Sequence, residues 1–223
     1  MSVPPTLLLD LDGTLVDSVY AHVLAWRDAL AADDLTVPCW VLHQRIGMGS
    51  DLYARAALRD AGLPTGEERV SALQSAHADA YARYVDDVLP FPGAEELLRA
   101  LDDGGVRWAI ATSSRRESAV PMLESLGVGD DATVVTGEEA EGGKPDPDLF
   151  VAAADRLGVE PGDCMVVGDS TWDLLAARRC GALGIGLRTG GFADAALVAT
   201  GSYRIYDDPA DLHRHLDELG VRL

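Results

Sequence analysis

Asp10 and Asp12 stand two residues apart at the end of the apolar run Thr-Leu-Leu-Leu, and Gly13 follows them directly. On an extended chain that spacing turns both carboxylates toward one side, and the glycine lets the backbone bend away. Carboxylates held that close repel each other unless a cation or a proton lies between them. Magnesium is the natural cation, since it takes oxygen ligands and is commonly held by one or two carboxylates together with substrate phosphate. Asp169 and Asp173, four residues apart, add further acidic ligands or partners for the ion's waters, with a helix cap as the plainer role for Asp173.

A positive group answers this acidic set. Lys144, in Gly-Gly-Lys-Pro-Asp-Pro, is the only lysine among 18 basic residues. A chain that otherwise relies on arginine places a compact ammonium there, which suits a point contact with phosphate; a leftover surface lysine is the alternative. Pro145 and Pro147 stiffen its loop. Thr112 ends an apolar stretch and can offer a hydroxyl to a phosphate oxygen, although Thr-Ser-Ser before a helix is also an ordinary cap sequence. Together these parts make an anion site with a nucleophile in it.

The elements that must bring the parts together alternate. Residues 6–10 read as a buried strand. An amphipathic helix follows, capped by Ser18, with His22, Val23, Trp26, Ala29 and Leu30 near one face. No strand-like run appears before about residue 88, and 51–61 and 67–85 read as helices, so the insert is all-helical and roughly 70 residues long, enough for a small subdomain. After Pro90 and Pro92 the pattern becomes helix 93–101, strand 107–112, helix 117–126, strand 133–136, helix 148–157, strand 164–168 and helix 171–180. Strand candidates 183–187 and 203–206 and a closing helix 209–219 complete it. This predicts an α/β fold, a parallel sheet with helices on both faces, interrupted by the helical insert. In such a sheet ligands bind beyond the carboxyl ends of the strands, and residues 10–14, 112–114, 144 and 169–173 all end or flank strands there.

Composition narrows the partners. The chain has 223 residues, 48% of them hydrophobic, enough for a main core and a smaller appended one. A net charge of −19 repels nucleic acid and anionic membranes, while a small phosphate ester can still be held by a local cation. No apolar run approaches the roughly 20 residues of a membrane span, and residues 1–5 lack the pattern of a secretory signal, so a cytoplasmic protein is expected. Cys39, Cys164 and Cys180 form no CxxC pair; they suggest neither zinc nor a disulfide framework and are expected to be buried small hydrophobes.

Asp-Leu-Asp-Gly-Thr-Leu-Val-Asp-Ser at 10–18 resembles the first motif of the haloacid dehalogenase superfamily of phosphotransferases, and Thr112 at the end of an apolar strand resembles the second. Lys144 in Gly-Lys-Pro-Asp-Pro-Asp-Leu-Phe resembles the third, and Gly-Asp-Ser-Thr-Trp-Asp at 168–173 the fourth. The resemblance covers nearly the whole chain, in order, and the helical insert stands where one branch of the family carries its cap. It implies a Rossmann-like core, residues 1–16 and 89–223, under a mobile helical cap, residues 17–88. It further implies magnesium held by the Asp10 side chain, the Asp12 carbonyl and Asp169. Asp10 would attack phosphorus to form an aspartyl phosphate, with the metal, Lys144 and Thr112 neutralising the equatorial oxygens. Asp12 would protonate the leaving alcohol and then take a proton from the attacking water, for which it must keep its proton near neutral pH. The dehalogenases lack an acid at that position, so Asp12 disfavours dehalogenation.

Substrate choice is expected in the cap and in the loop after Thr112. Residues 17–26 resemble the start of the cap in sugar phosphomutases, with His22 where those enzymes place a cap histidine. Ser114, Arg115 and Arg116 fall where they hold a second phosphate, with Ser113 beside them. Arg45, Gly47, Met48 and Gly49 occupy a break between helices that reads as a substrate-contacting loop or as a plain turn. Two departures count against a mutase: His77 stands where its lysine is expected, and Gly168 where an acidic residue is usual. The preferred reading is therefore a magnesium-dependent phosphatase of a sugar phosphate or phosphoglycolate, with a β-phosphoglucomutase-like enzyme as the alternative. The expected partner is a small phosphorylated metabolite, and the chain a monomer or homodimer. A phosphoacceptor without turnover fits less well, because receiver domains carry no helical insert after the first strand. A silent binding module would be expected to have lost an acid or the lysine.

Overall fold

The first strand, β1 (Thr6–Leu9), is buried along its whole length in the computed structural model, which describes residues 5–221. Its alternate side chains serve different faces: Leu7 and Leu9 join one hydrophobic cluster and Leu8 another. A strand covered on both faces has no use for a polar side, and each fully buried leucine contributes roughly 2 kcal/mol.

Four helices follow before the next strand: α1 (Val19–Ala32), α2 (Cys39–His43), α3 (Ser50–Asp60) and α4 (Glu67–Tyr81). They share a hydrophobic cluster of their own, which includes Val23, Trp26, Leu30, Tyr53, Leu58 and Leu73. The remaining chain runs α5 (Ala94–Asp103), β2 (Trp108–Ala111), α6 (Arg116–Ser125), β3 (Val134–Val135), α7 (Asp148–Leu157), β4 (Cys164–Gly168), α8 (Thr171–Cys180), β5 (Leu183–Leu187), α9 (Asp194–Thr200), β6 (Ser202–Tyr206) and α10 (Pro209–Arg214). Helices α5, α6 and α10 cover the Leu7 and Leu9 face, and α7 and α8 the Leu8 face.

The sheet has six strands in the order β3-β2-β1-β4-β5-β6, with every pair parallel. Strand β1 therefore lies between β2 and β4, and the chain switches sides of it after β3. Ligand sites of open parallel sheets lie at such a switch point. Leu9 is level with Ile110 on one side and Val167 on the other, which brings the exits of all three strands to one place.

Several expectations are corrected. The closing helix is shorter, since α10 stops at Arg214 and a 3-10 turn, Leu216–Leu219, follows. Helices α2 and α9 were not expected. Ser18 stands at the N-cap position of α1 but makes no side-chain cap bond; its hydroxyl is used elsewhere. Of the cysteines only Cys164 is buried, while Cys39 is exposed on the first turn of the short α2.

Candidate active site

Asp10 leaves β1 at the switch point, with its backbone N–H donated to the Val167 carbonyl at 2.9 Å. Its side chain meets Lys144, whose Nζ lies 2.5 Å from Asp10 Oδ1 and 2.8 Å from Asp173 Oδ1. All of these groups, with Asp169, are at most 2% exposed. A buried ammonium is stable only when paired and hydrogen-bonded, and here two carboxylates do this. Burial alone would lower the Lys144 pKa, but Asp10 and Asp173 hold it above the ordinary lysine range.

Asp173 is placed by α8 itself. Its Oδ2 accepts from the Ser170 backbone N–H at 3.1 Å and the Ser170 hydroxyl at 2.6 Å, a capping box that leaves Oδ1 for Lys144. Both roles weighed from the sequence, cap and site residue, thus meet in one side chain. The same placement accounts for Gly168, where Asp173 leaves no room for a Cβ. Asp169 is held through Oδ1 by the Thr14 hydroxyl at 2.9 Å.

Carboxylate oxygens of Asp10, Asp169 and Asp173 all lie within 4.8 Å of one another. Crowded and out of water, Asp10 and Asp169 resist ionisation. Burial pushes Asp10 up to about 8, against the pull of Lys144 and with repulsion from Asp173 and Asp12. Burial and the charges of Asp173 and Asp10 likewise raise Asp169.

Asp12 behaves oppositely. Its Oδ1 receives Ser18 Oγ at 2.9 Å and lies 3.1 Å from His22 Nε2, while Oδ2 receives Thr112 Oγ1 at 3.0 Å and Ser114 Oγ at 2.8 Å. Although burial works against it, the His22 contact and the Ser114 and Ser18 hydroxyls hold the Asp12 carboxyl below the ordinary range. The expectation that Asp12 keeps its own proton near neutral pH is therefore corrected: four donors surround a carboxylate. Thr112 is also re-placed, since its hydroxyl is spent on Asp12 and it does not line the cavity.

That cavity, about 110 Å³, opens above Asp10, Asp12 and Lys144. Its wall toward the helical layer is a ladder of five rings. Tyr53 stacks on Trp26 at 4.2 Å, Trp26 on His77 at 4.1 Å, His77 on His22 at 5.3 Å, and His22 on Tyr81 at 4.2 Å. His22 Nδ1 lies 3.3 Å from His77 Nε2, and burial keeps His77 neutral, well below its ordinary pKa. The other walls include Gly47, Met48, Ser113, Ser114 and Arg115.

Of the expected substrate residues, Ser113, Ser114, Arg115, His22, Gly47 and His77 share this cavity. Arg45 does not line it; its guanidinium pairs with Asp60 on the outer side of α3. Sequence reading passed over Gln74, Ala78 and Tyr81, which line the cavity from α4 with His77. Their i, i+3, i+4, i+7 spacing, with polar residues inside an otherwise apolar stripe, was the available signal.

A family model described as haloacid dehalogenase-like hydrolase matches residues 4–181. The chain belongs to that family. This haloacid dehalogenase-like hydrolase is 32% identical to phosphoglycolate phosphatase of Rhodospirillum rubrum over 94% of its own length and 90% of the relative's. It is 30% identical to hexitol phosphatase A of Escherichia coli, over 78% of each chain. A solved hydrolase from Pseudomonas syringae superposes with a TM-score of 0.93 at 42% identity, covering 96% of this chain and 98% of that one. Family and relatives together make the hydrolase an enzyme of the phosphoric monoester class.

Members of this family generally use magnesium, and the acidic cluster suits a divalent ion. Three buried carboxylates face one ammonium, and a doubly charged cation supplies the two positive charges still missing. The donor set is all oxygen, which favours a hard ion over a soft one. Glycines at 13 and 190 pack directly against the Asp169 carboxylate, where any side chain would overlap it.

Proposed function

We propose that this hydrolase is a magnesium-dependent phosphatase of a small phosphate monoester, a sugar phosphate or phosphoglycolate, working through an aspartyl phosphate on Asp10. The observation that carries the reading is the Asp10 carboxylate on the cavity lining, 2.5 Å from Lys144 Nζ and inside the acidic cluster. Asp10 and Asp169 would hold the magnesium, with the Asp12 carbonyl completing the protein's share and Asp173 serving Lys144. Bound there, the ion supplies compensation for the negative charge of the phosphoryl group.

One Asp10 carboxylate oxygen attacks phosphorus while the bond from phosphorus to the leaving oxygen breaks. Lys144 balances the charge on the phosphoryl oxygens. The leaving oxygen takes its proton from the Asp12–His22 pair, whose 3.1 Å separation lets a proton pass between them. Water then attacks the phosphorus of the aspartyl phosphate and yields a proton to Asp12. Inorganic phosphate departs and the Asp10 carboxylate is restored.

Residues 17–88 act as the cap and residues 1–16 with 89–223 as the core, a division supported by the separate hydrophobic cluster of α1–α4. The cavity's small volume supports a small leaving group. Arg115, its only guanidinium among the described residues, is placed for a carboxylate or a ring of hydroxyls. The names of the R. rubrum and E. coli relatives point the same way, and metabolites of this kind suit a cytoplasmic enzyme. The glycine at 168, required by the position of Asp173, fits a phosphatase better than the acidic residue of the mutase pattern.

Phosphate release from p-nitrophenyl phosphate, phosphoglycolate and a panel of sugar phosphates, with and without magnesium, tests the proposal. β-Glucose 1-phosphate isomerisation is followed alongside. Magnesium-dependent phosphate release is expected; isomerisation with little release, or no turnover of any ester, overturns the reading.

A further inference from the structure

Away from the cavity, the helical layer grips the core at a second place through residues 43–47. His43 Nε2 lies 2.8 Å from the Gly190 carbonyl oxygen; a carbonyl only accepts, so this nitrogen carries the hydrogen. The carbonyl of the next residue, Gln44, accepts from Trp172 Nε1 at 3.1 Å. Gly47, at φ +92, lies against Ser170 with no room for a Cβ. The His43 ring is itself held between Tyr20, at 5.6 Å, and Phe192, at 5.3 Å.

Two of these core partners, Gly190 and Ser170, border Asp169. Gly190 packs so closely on the Asp169 carboxylate that a Cβ there would overlap it, and Gly13 does the same from another side. Thr14 fixes the remaining oxygen. The carboxylate is therefore boxed in, and the turn Arg188–Gly190 forms one wall of the box. A shift of the carboxylate toward Gly190 requires that turn to move. His43, which does not line the cavity, is the helical layer's hydrogen bond to the turn.

We infer that His43 is a positioning residue for the divalent-ion site: its bond to the Gly190 carbonyl fixes the wall that holds Asp169, so docking of the helical layer and ion binding favour each other. The inference rests on Asp169 being an ion ligand, as proposed above. Linkage makes the effect reciprocal: whatever seats residues 43–47 tightens the ion, and the ion tightens that seat. Ser170 follows Asp169 directly and Trp172 stands on the first turn of α8, so the same contact braces the strand exit from its other side.

The test is Mn²⁺ binding to the full, substrate-free chain, followed by electron paramagnetic resonance, since Mn²⁺ takes the same oxygen ligands. Wild type is expected to bind an ion that Asp169→Asn loses. His43→Ala is expected to weaken Mn²⁺ about five-fold, the effect of losing one hydrogen bond, and His43→Gln, which restores an N–H donor, to recover most of it. Circular dichroism checks that each variant folds. Should His43→Ala not fold, Trp172→Phe removes one donor from the same contact and is expected to weaken Mn²⁺ similarly. Folded His43→Ala with wild-type affinity, or no recovery in His43→Gln, overturns the inference and leaves the ion site standing. A wild-type chain that binds no Mn²⁺ overturns both.

Discussion

Asp12 Oδ1 lies 3.1 Å from His22 Nε2, and this contact ties the β1 exit to helix α1. It makes the protonation of Asp12 depend on a residue from the helical layer. His22→Phe keeps a ring between Tyr81 and His77 but offers no donor. With that donor gone, burial acts on Asp12 less opposed and its pKa rises. We expect kcat to fall roughly ten- to hundred-fold, with KM changing less, and the Asp12 limb of the pH–rate profile to move to higher pH. Rates measured across pH check this; an unaltered profile contradicts it.

Asp10 and Asp169 predict how stability responds to pH when no divalent ion is bound. Burial raises both carboxyls, Asp10 from 3.8 to about 8. Between those values the folded chain holds protons that the unfolded chain has released, so stability falls as pH rises through that window. Magnesium held there, as proposed, would replace the protons and flatten the slope. Thermal unfolding in EDTA is expected to show a lower Tm near pH 8 than near pH 5, with the gain from magnesium larger near pH 8. Equal gains at both pH values contradict the assignment.

Much of this site is legible in the sequence because its parts end elements that announce themselves. Helix α7 and strands β4 and β5 begin and end where the alternation places them, since glycines and prolines such as Pro147, Gly158 and Gly181 punctuate them. Helices α2 and α9, five and seven residues long, are too short for an apolar stripe to repeat. The ring ladder was hidden for another reason. His22 and His77 lie 55 residues apart, and only the packing of α1 on α4 shows that their faces meet. Ser18 carries a legible cap pattern, but Asp12, six residues back, takes its hydroxyl.

Gly168 gives a packing prediction. A Cβ at this position would run into the Asp173 side chain, so Gly168→Ala must displace either β4 or Asp173, at a cost of roughly 1–3 kcal/mol. Displacing Asp173 deprives Lys144 of one of its two partners. Chemical denaturation is expected to show the lower stability and steady-state kinetics a reduced kcat. Wild-type values for both would show that the close packing of Gly168 on Asp173 has no consequence.

The proposed role of Asp10 as nucleophile is tested most directly by trapping a covalent enzyme. An Asp12→Asn variant given p-nitrophenyl phosphate has a leaving group that departs without a proton, so phosphorylation of Asp10 proceeds while hydrolysis of the aspartyl phosphate lacks its base. After acid quench, mass spectrometry of the digested protein is predicted to find a phosphoryl group on the peptide containing Asp10, and none when Asp10→Asn is added. A phosphoryl group on another residue, or undiminished turnover in Asp10→Asn alone, would contradict the account.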